Sequence, residues 1–195
     1  MQIKYNRTTR KEKPKYIVLH DTGNKSKGAD ANAHFNYFNT GDRQSSADIF
    51  TDQNGILVVN DYNQFYTWHC GDGKGKYGIT NSNSVGIEIC VNSDGDYDTA
   101  VKWAVVATRK LMHELDIPIS RVVRHYDASR KLCPASMSKD NWKDWENFKK
   151  LLTDDALFLK MTAKIEPKTI EYLKSYTYGD ALIKKLTQAI LNSGM

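Results

Sequence analysis

The segment SVGIEICV at residues 84–91 decides the fold. Aliphatic side chains occupy every second position in it: Val85, Ile87, Ile89 and Val91. This alternation predicts a β-strand with one apolar face, and Glu88 points away from that face. Upstream, YIVLH at residues 16–20 predicts a second strand, which ends at the polar turn DTGN and leaves His20 at the strand end.

Helices and further strands follow from the remaining pattern. Periodicity and turn signals predict helices at 30–38, 98–115 and 139–152, a hairpin of strands at 47–51 and 56–60, a short strand at 121–125 and a polar loop at 126–137. Asp98 is the expected N-cap of the second helix. The expected buried side chains are Val101, Val105, Thr108, Met112 and Leu115 on the second helix, and Trp142, Trp145, Phe148 and Leu152 on the third. Strands interleaved with helices predict an α/β fold, a mixed central β-sheet flanked by helices.

The chain has 195 residues, which suits one domain with a small appendage. We therefore predict three parts: a basic N-terminal arm at 1–15, a main domain at 16–152 and a small helical C-terminal extension at 153–195. The extension should contain two short helices, at 169–176 and 180–191. Because about 40 residues are marginal for independent folding, it is expected to dock on the main domain or to build a dimer contact.

Positive charge is concentrated in the N-terminal arm. Six basic side chains oppose the single acid Glu12 there: Lys4, Arg7, Arg10, Lys11, Lys13 and Lys15. The other 180 residues hold 22 basic and 22 acidic side chains. Such an arm predicts binding to nucleic acid, a membrane surface or an anionic polymer, and a solvated tail that aids solubility is the alternative.

Targeting and cysteine signals are sparse. No segment reaches the roughly 18 apolar residues of a membrane span, and residues 1–15 lack the apolar core of a signal peptide. These features predict synthesis in the cytoplasm. Three cysteines, Cys70, Cys90 and Cys133, are too few for a disulfide framework and would stay reduced there. Each of them is therefore available for packing or for metal binding.

A metal site is indicated by three residues that lie at strand ends or just after them. His20, His125 and Cys133 supply two imidazoles and a thiol. A catalytic zinc ion takes three such protein ligands and keeps a fourth position open. Taken one at a time, a structural histidine or a buried cysteine is the alternative interpretation.

Four motifs in order carry a family resemblance: IVLHDTG at 17–23, YTWHCGDG at 66–73, SVGIEICVN at 84–92 and RHYDASRKLCP at 124–134. Together they resemble the N-acetylmuramoyl-L-alanine amidases, a family of phage endolysins, bacterial autolysins and recycling amidases. The family is similar to the peptidoglycan recognition proteins of animals. The resemblance covers roughly residues 14–152, and the C-terminal extension matches nothing that we can name.

The resemblance implies a site. It makes 16–152 a zinc amidase catalytic domain, with zinc held by His20, His125 and Cys133. Glu88 corresponds to the acid that handles the proton of water, and Lys131 to the cation near the scissile carbonyl. Some relatives use a tyrosine near position 47, where this chain has none, and this favours the route through Glu88.

Two further residues are expected near substrate. The TWH segment borders the substrate groove in relatives, so Trp68 and His69 are predicted to contact muramyl peptide. A hydrogen-bonded structural role is the alternative for His69, and a place in the core is the alternative for Trp68. Cys70 and Cys90 are expected to be packing thiols.

The implied function is hydrolysis of peptidoglycan between N-acetylmuramic acid and L-alanine, by a phage or prophage endolysin that acts on the wall after release. The basic arm would then bind anionic wall polymers, and the extension could be a reduced wall-binding element. Three alternatives remain: a peptidoglycan receptor without activity, a recycling amidase acting on soluble muropeptides, and a regulator that binds nucleic acid. The resemblance disfavours the nucleic-acid partner.

Overall fold

The computed structural model describes residues 1–193, so the last two residues of the C-terminal extension lie outside the description. Its strands are β1 (Arg7–Thr9), β2 (Tyr16–Asp21), β3 (Ile49–Asp52), β4 (Gly55–Val58), β5 (Phe65–Thr67), β6 (Ser84–Ile89) and β7 (Val122–Arg124). Its α-helices are α1 (Ala31–Asn39), α2 (Tyr97–Leu115), α3 (His125–Ser129), α4 (Lys139–Thr153), α5 (Asp155–Thr162), α6 (Pro167–Lys174) and α7 (Gly179–Ser193). Within the described range, no helix combines the length and the apolar character needed to cross a membrane.

A five-stranded mixed sheet forms the centre, in the order β4-β3-β6-β2-β7. The β3–β4 pair is antiparallel, whereas the pairs β3–β6, β6–β2 and β2–β7 are parallel. The predicted hairpin and the predicted mixed α/β sheet are therefore confirmed. Because four neighbouring strands run in the same direction, their carboxyl ends meet at one edge of the sheet.

The two faces of the sheet have different roles. Alternate residues such as Leu19, Ile87 and Ile89 pack in the main hydrophobic core with α2 and α4. The intervening residues, including His20 and Glu88, lie on the opposite face, as the alternation in 84–91 predicts. The sheet therefore separates the stabilising core from the candidate site.

The N-cap of helix α2 lies two residues before the predicted one. Asp96 is the N-cap, and its side chain accepts a hydrogen bond from Thr99 N at 3.0 Å. Asp98 lies in the first turn instead, where its charge faces the helix N-terminus. The buried residues of α2 also differ in part from the predicted stripe: Ala100, Ala104, Val105, Val106, Ala107, Thr108 and Leu111. Small residues dominate this set because α2 lies directly on the sheet and on α4.

The predicted strand at 121–125 and the loop after it are partly wrong. The strand ends at Arg124, and His125 begins the short helix α3. Asp127 starts this turn of helix by accepting a hydrogen bond from Arg124 N at 2.9 Å. In α4 Trp142 is only half-buried, because it lies at the surface with the Arg124 guanidinium 4.2 Å from its ring centre.

The N-terminal segment packs against the rest of the chain. Strand β1 pairs with β5 in a two-stranded antiparallel sheet, and Ile3 is fully buried. The Arg10 guanidinium donates hydrogen bonds to the carbonyl oxygens of Tyr62 and Ser84, at 3.0 and 2.8 Å. Residues 1–15 thus contribute the strand β1 and the hydrogen bonds of Arg10, which tie this segment to the main domain. Lys11 and Lys13 remain exposed.

The C-terminal extension docks on the main core. It contains α5 in addition to the two helices that the sequence predicts. Phe158, Ile183 and Leu191 are buried in the same cluster as the sheet and α2. Arg109 on α2 fixes this contact, since its guanidinium lies 4.3 Å from the Phe158 ring centre and pairs with Asp155.

Candidate metal centre

The sheet register brings three predicted site residues into one row. His20 on β2 is directly opposite Glu88 on β6. On the other side of β2, Leu19 is opposite Arg124, so the next residue, His125, lies level with His20. The row therefore follows from parallel pairing of strands that are distant in sequence.

Cys133 completes the cluster from the loop after α3. The peptide bond between Cys133 and Pro134 is cis, and the Cys133 carbonyl accepts a hydrogen bond from Tyr126 N at 2.9 Å. Its Sγ lies 3.9 Å from His20 Nδ1, which in turn lies 3.1 Å from His125 Nδ1. One ligand atom from each of the three buried residues lies within 4.8 Å of the others. The structure thus contains a possible metal site.

The chemistry of these donors fits a zinc ion. Burial lowers the pKa of His20 and of His125, so both imidazoles are neutral, the form that binds metal. Burial, followed by the charge of Glu88, raises the pKa of the Cys133 thiol to about 12. A bound cation reverses that effect, because a coordinating thiol loses its proton. Two imidazoles and one thiolate leave a fourth tetrahedral position open.

Carboxylate and histidine groups surround the cluster. His125 Nε2 donates to Asp72 Oδ1 at 2.7 Å. Partial burial acts to raise the pKa of Asp72, but the hydrogen bond and charge interaction with His125 outweigh it and lower that pKa. His20 Nε2 lies 3.0 Å from Nδ1 of His69. Both candidate histidine ligands are therefore held by a second residue, as is usual for metal-binding histidines.

Glu88 stands beside the cluster in a low-dielectric position. Its Oε1 lies 3.9 Å from His20 Nδ1, and its Oε2 is buried with no hydrogen-bond partner among residues 1–193. Burial and then repulsion from Asp21 raise the pKa of Glu88 to about 8, although Lys131 acts to lower it. The Glu88 carboxyl group can therefore hold or release a proton near neutral pH.

Lys131 and Trp68 lie at the surface around the centre. Lys131 is exposed two residues before Cys133, and its charge acts on Glu88 and on both candidate histidines. Trp68 is 39% exposed, and its Nε1 donates to Thr8 Oγ1 at 3.2 Å. It lines a cavity of about 330 Å³ together with Thr8, Lys74 and Asn81.

His69 occupies a different environment from Trp68. It is buried, and its two ring nitrogens contact His20 and Ser84 Oγ, the latter at 3.1 Å. Both nitrogens are thus engaged inside the protein. Of the other two cysteines, Cys70 and Cys90, each is buried in a separate hydrophobic cluster, and Cys70 Sγ lies 3.7 Å from Ser84 Oγ.

Sequence reasoning missed Asp72, Ser84 and Asp21. Asp72 lies in the glycine-rich loop that follows His69, and an acid in such a loop near candidate ligands was the available signal. Ser84 starts β6 and looks like an ordinary strand residue. Asp21 directly follows His20, and its Oδ2 accepts two hydrogen bonds from Ser136, both at 2.7 Å.

The fold and the site together define a mixed-sheet α/β protein with a candidate zinc centre at the carboxyl ends of its parallel strands. The profile of the N-acetylmuramoyl-L-alanine amidase family matches residues 10–136. This chain belongs to the N-acetylmuramoyl-L-alanine amidase family, for which zinc dependence is characteristic.

Individual relatives agree with this placement. The N-acetylmuramoyl-L-alanine amidase CwlH of Bacillus subtilis (strain 168) is 39% identical over 137 residues, which cover 69% of this chain and 52% of CwlH. XlyA, an N-acetylmuramoyl-L-alanine amidase of the same organism, is 38% identical over 136 residues, covering 70% of this chain and 43% of XlyA. The chain thus spans about half the length of these curated relatives.

Solved structures show the same architecture. The catalytic domain of XlyA superposes with a TM-score of 0.67 and 37% identity, covering 75% of this chain and 91% of that domain. A mutant endolysin from Bacillus subtilis also gives 0.67, with 35% identity over 77% of this chain and 99% of that one. The family resemblance inferred from the four motifs is confirmed.

Proposed function

We propose that this chain hydrolyses the amide bond between N-acetylmuramic acid and L-alanine of peptidoglycan, with a zinc ion held by His20, His125 and Cys133. The observation that carries the proposal is the convergence of these three buried donors within 4.8 Å at the edge of the sheet. Membership of the amidase family indicates which bond of the substrate is hydrolysed.

Zinc in such a site lowers the pKa of a water molecule towards about 7 and polarises a carbonyl oxygen. The chain's own residues then handle protons and charge. Glu88 accepts the proton of the attacking water and returns it to the departing alanine nitrogen. Burial and Asp21 raise the pKa of Glu88 in the protein without metal, and a cation bound beside it lowers that pKa again, so that the ionised carboxylate that accepts a proton becomes available.

Lys131 supplies positive charge at the mouth of the site. Its ammonium group is exposed, so it can approach a substrate carbonyl and stabilise the oxyanion that develops there. We assign substrate contact to Trp68, since its partly exposed indole ring can stack on a sugar ring. His69 is assigned a role inside the protein instead, because both of its ring nitrogens are already bonded.

We further infer a lytic enzyme of the endolysin type that is made in the cytoplasm and acts on the cell wall after release. Support comes from the similarity to amidases of Bacillus subtilis and to an endolysin from that organism. The exposed lysines of residues 1–15, such as Lys11 and Lys13, are assigned to anionic wall polymers. Arg10 is not part of that surface, because its guanidinium is bonded to backbone carbonyls.

Digestion of purified cell walls, with and without a chelator, tests the proposal. Turbidity follows lysis, and mass spectrometry identifies the new termini. We expect free stem peptides beginning with L-alanine, released only when zinc is present. New reducing sugar ends would show a glycosidase, and wall binding without any release would show a receptor.

A further inference from the structure

A chain of hydrogen bonds runs from the candidate ligand His20 into the protein. His20 Nε2 lies 3.0 Å from His69 Nδ1, and His69 Nε2 lies 3.1 Å from Ser84 Oγ. Ser84 Oγ donates to the Thr80 carbonyl oxygen at 2.5 Å. This series of hydrogen bonds does not include the contact between His125 and Asp72.

The direction of every bond in this chain follows from its last member. A carbonyl oxygen can only accept, so the single hydroxyl proton of Ser84 is committed to Thr80. Ser84 must then accept a proton from His69 Nε2. A neutral His69 has one N–H, so its Nδ1 is an acceptor and His20 Nε2 must be the donor.

This direction leaves His20 Nδ1 without a proton. That atom faces His125 Nδ1 at 3.1 Å and Cys133 Sγ at 3.9 Å. His125 Nδ1 also carries no proton, because the single proton of the neutral ring is on Nε2, which donates to Asp72. Two ring nitrogens that both present lone pairs repel one another unless a cation lies between them. The internal bonds therefore prepare the donor set for a metal ion.

The backbone around His69 is adapted to this arrangement. A Cβ atom on Gly86 would lie 2.7 Å from His69 Cγ, so only glycine lets the ring lie against β6. Asn81 Oδ1 accepts hydrogen bonds from the backbone nitrogens of His69 and Cys70, at 3.0 and 2.7 Å. The close approach of Gly86 and the hydrogen bonds from the backbone to Asn81 thus fix the position of the His69 ring.

We propose that His69 and Ser84 are positioning residues that keep His20 in the tautomer protonated at Nε2, so that Nδ1 is presented to the metal. The inference rests on the proposed zinc centre. It gives the two candidate histidines different supports, a carboxylate for His125 and a neutral relay ending on a backbone carbonyl for His20. Partners of this kind are worth about 10–100-fold in metal affinity.

The direct test is nitrogen NMR of the zinc-loaded wild-type protein with labelled histidine rings. Long-range proton–nitrogen correlations show which ring nitrogen carries a proton. We expect His69 and His20 each to be protonated at Nε2 alone. Protonation of His69 at Nδ1, or at both nitrogens, would overturn the relay even if the protein binds zinc and digests walls.

Zinc affinity supplies the second test. Ser84→Ala should weaken zinc binding by about 10–100-fold in competition with a chelator, and Ser84→Thr, which keeps the hydroxyl, should restore most of it. Ser46→Ala is the matched control, since Ser46 Oγ is equally buried and donates to the Asn6 carbonyl at 2.5 Å without touching a histidine ring. Unchanged affinity in Ser84→Ala, with Ser46→Ala as tight, would refute the positioning role.

The two proposals fail differently. If the tautomers are as expected but walls are not cut at the amide, the proposed reaction is wrong and the relay stands. If walls are cut normally and zinc binds Ser84→Ala as tightly as wild type, the relay is wrong and the reaction stands.

Discussion

His20 Nδ1 on β2 and His125 Nδ1 at the start of α3 lie 3.1 Å apart, although the two residues are separated by 105 positions in the sequence. Cys133 Sγ adds a third donor to the same point. Among residues 1–193 the group of donors that could hold a metal ion has three members, which leaves a fourth tetrahedral position open, as in a catalytic rather than a closed structural zinc site.

Replacing the thiol should remove metal and activity together. Cys133→Ser exchanges a soft thiolate for a hydroxyl that ionises far less readily, so zinc content should fall below one-tenth of the wild-type value. Wall digestion should fall in parallel. The measurement is zinc per protein by mass spectrometry after gel filtration, and a variant that keeps full zinc would contradict the assignment.

Replacing the candidate proton carrier should separate metal from turnover. Glu88→Ala leaves all three donor side chains in place, so zinc content should stay near wild type. The rate of wall digestion should fall by about 10²–10⁴-fold, the usual contribution of a positioned acid or base. Near-normal rates in this variant would show that another group moves the proton.

The raised pKa of Glu88 predicts a pH-dependent stability. The pKa of a glutamate in an unfolded chain is about 4.3. In the folded protein, burial and then Asp21 raise the pKa of the Glu88 carboxyl group to about 8. This contribution is fully present below the unfolded pKa and is lost as pH rises through about 8. Chelator-treated wild type should therefore lose stability relative to Glu88→Gln between pH 5 and pH 8, measured by urea unfolding. A constant difference across that range would contradict the raised pKa.

The C-terminal extension should contribute to global stability. Phe158 on α5 is fully buried beneath the Arg109 guanidinium of α2, so Phe158→Ala should lower the free energy of unfolding by about 3–5 kcal/mol. Leu157, its neighbour in sequence, is 40% exposed, and Leu157→Ala is the control with a much smaller expected loss. Denaturant unfolding of both variants makes the comparison, and equal small losses would show that α5 is not part of the cooperative core.

The exposed N-terminal lysines should affect wall binding rather than chemistry. Replacing Lys11 and Lys13 by alanine should weaken binding to walls that carry anionic polymers, and added salt should reduce the difference. Lys184 and Lys185 on α7 are equally exposed, so their double alanine variant is the matched control. Sedimentation with walls, before and after removal of the anionic polymers, measures the effect. Equal binding by both double variants would remove this role from residues 1–15.

Several elements could be predicted because their signals are local. The alternation in 84–91 predicts both a strand and the face on which Glu88 lies, and the turn at 52–55 predicts the β3–β4 hairpin. The predicted start of α2 is wrong because two acids, Asp96 and Asp98, compete for the N-cap position. The predicted end of β7 is wrong because the hydrogen bond between Asp127 and Arg124 N starts a helix at His125. These choices depend on hydrogen bonds that the pattern of apolar residues does not contain.

The sequence by itself determined the strands of the central sheet, apart from the ends of β7, together with the family and the identity of His20, His125 and Cys133 as candidate ligands, because motif order and periodicity are written along the chain. The pairing of β1 with β5 was not predicted and is seen only in the structure. Only the tertiary structure decided how the candidate ligands meet. Parallel pairing places His20 level with Glu88, and the burial of Ser84 and His69 creates a relay with a defined direction. Such relations depend on distances between residues far apart in the chain, and these distances exist only once the sheet has formed.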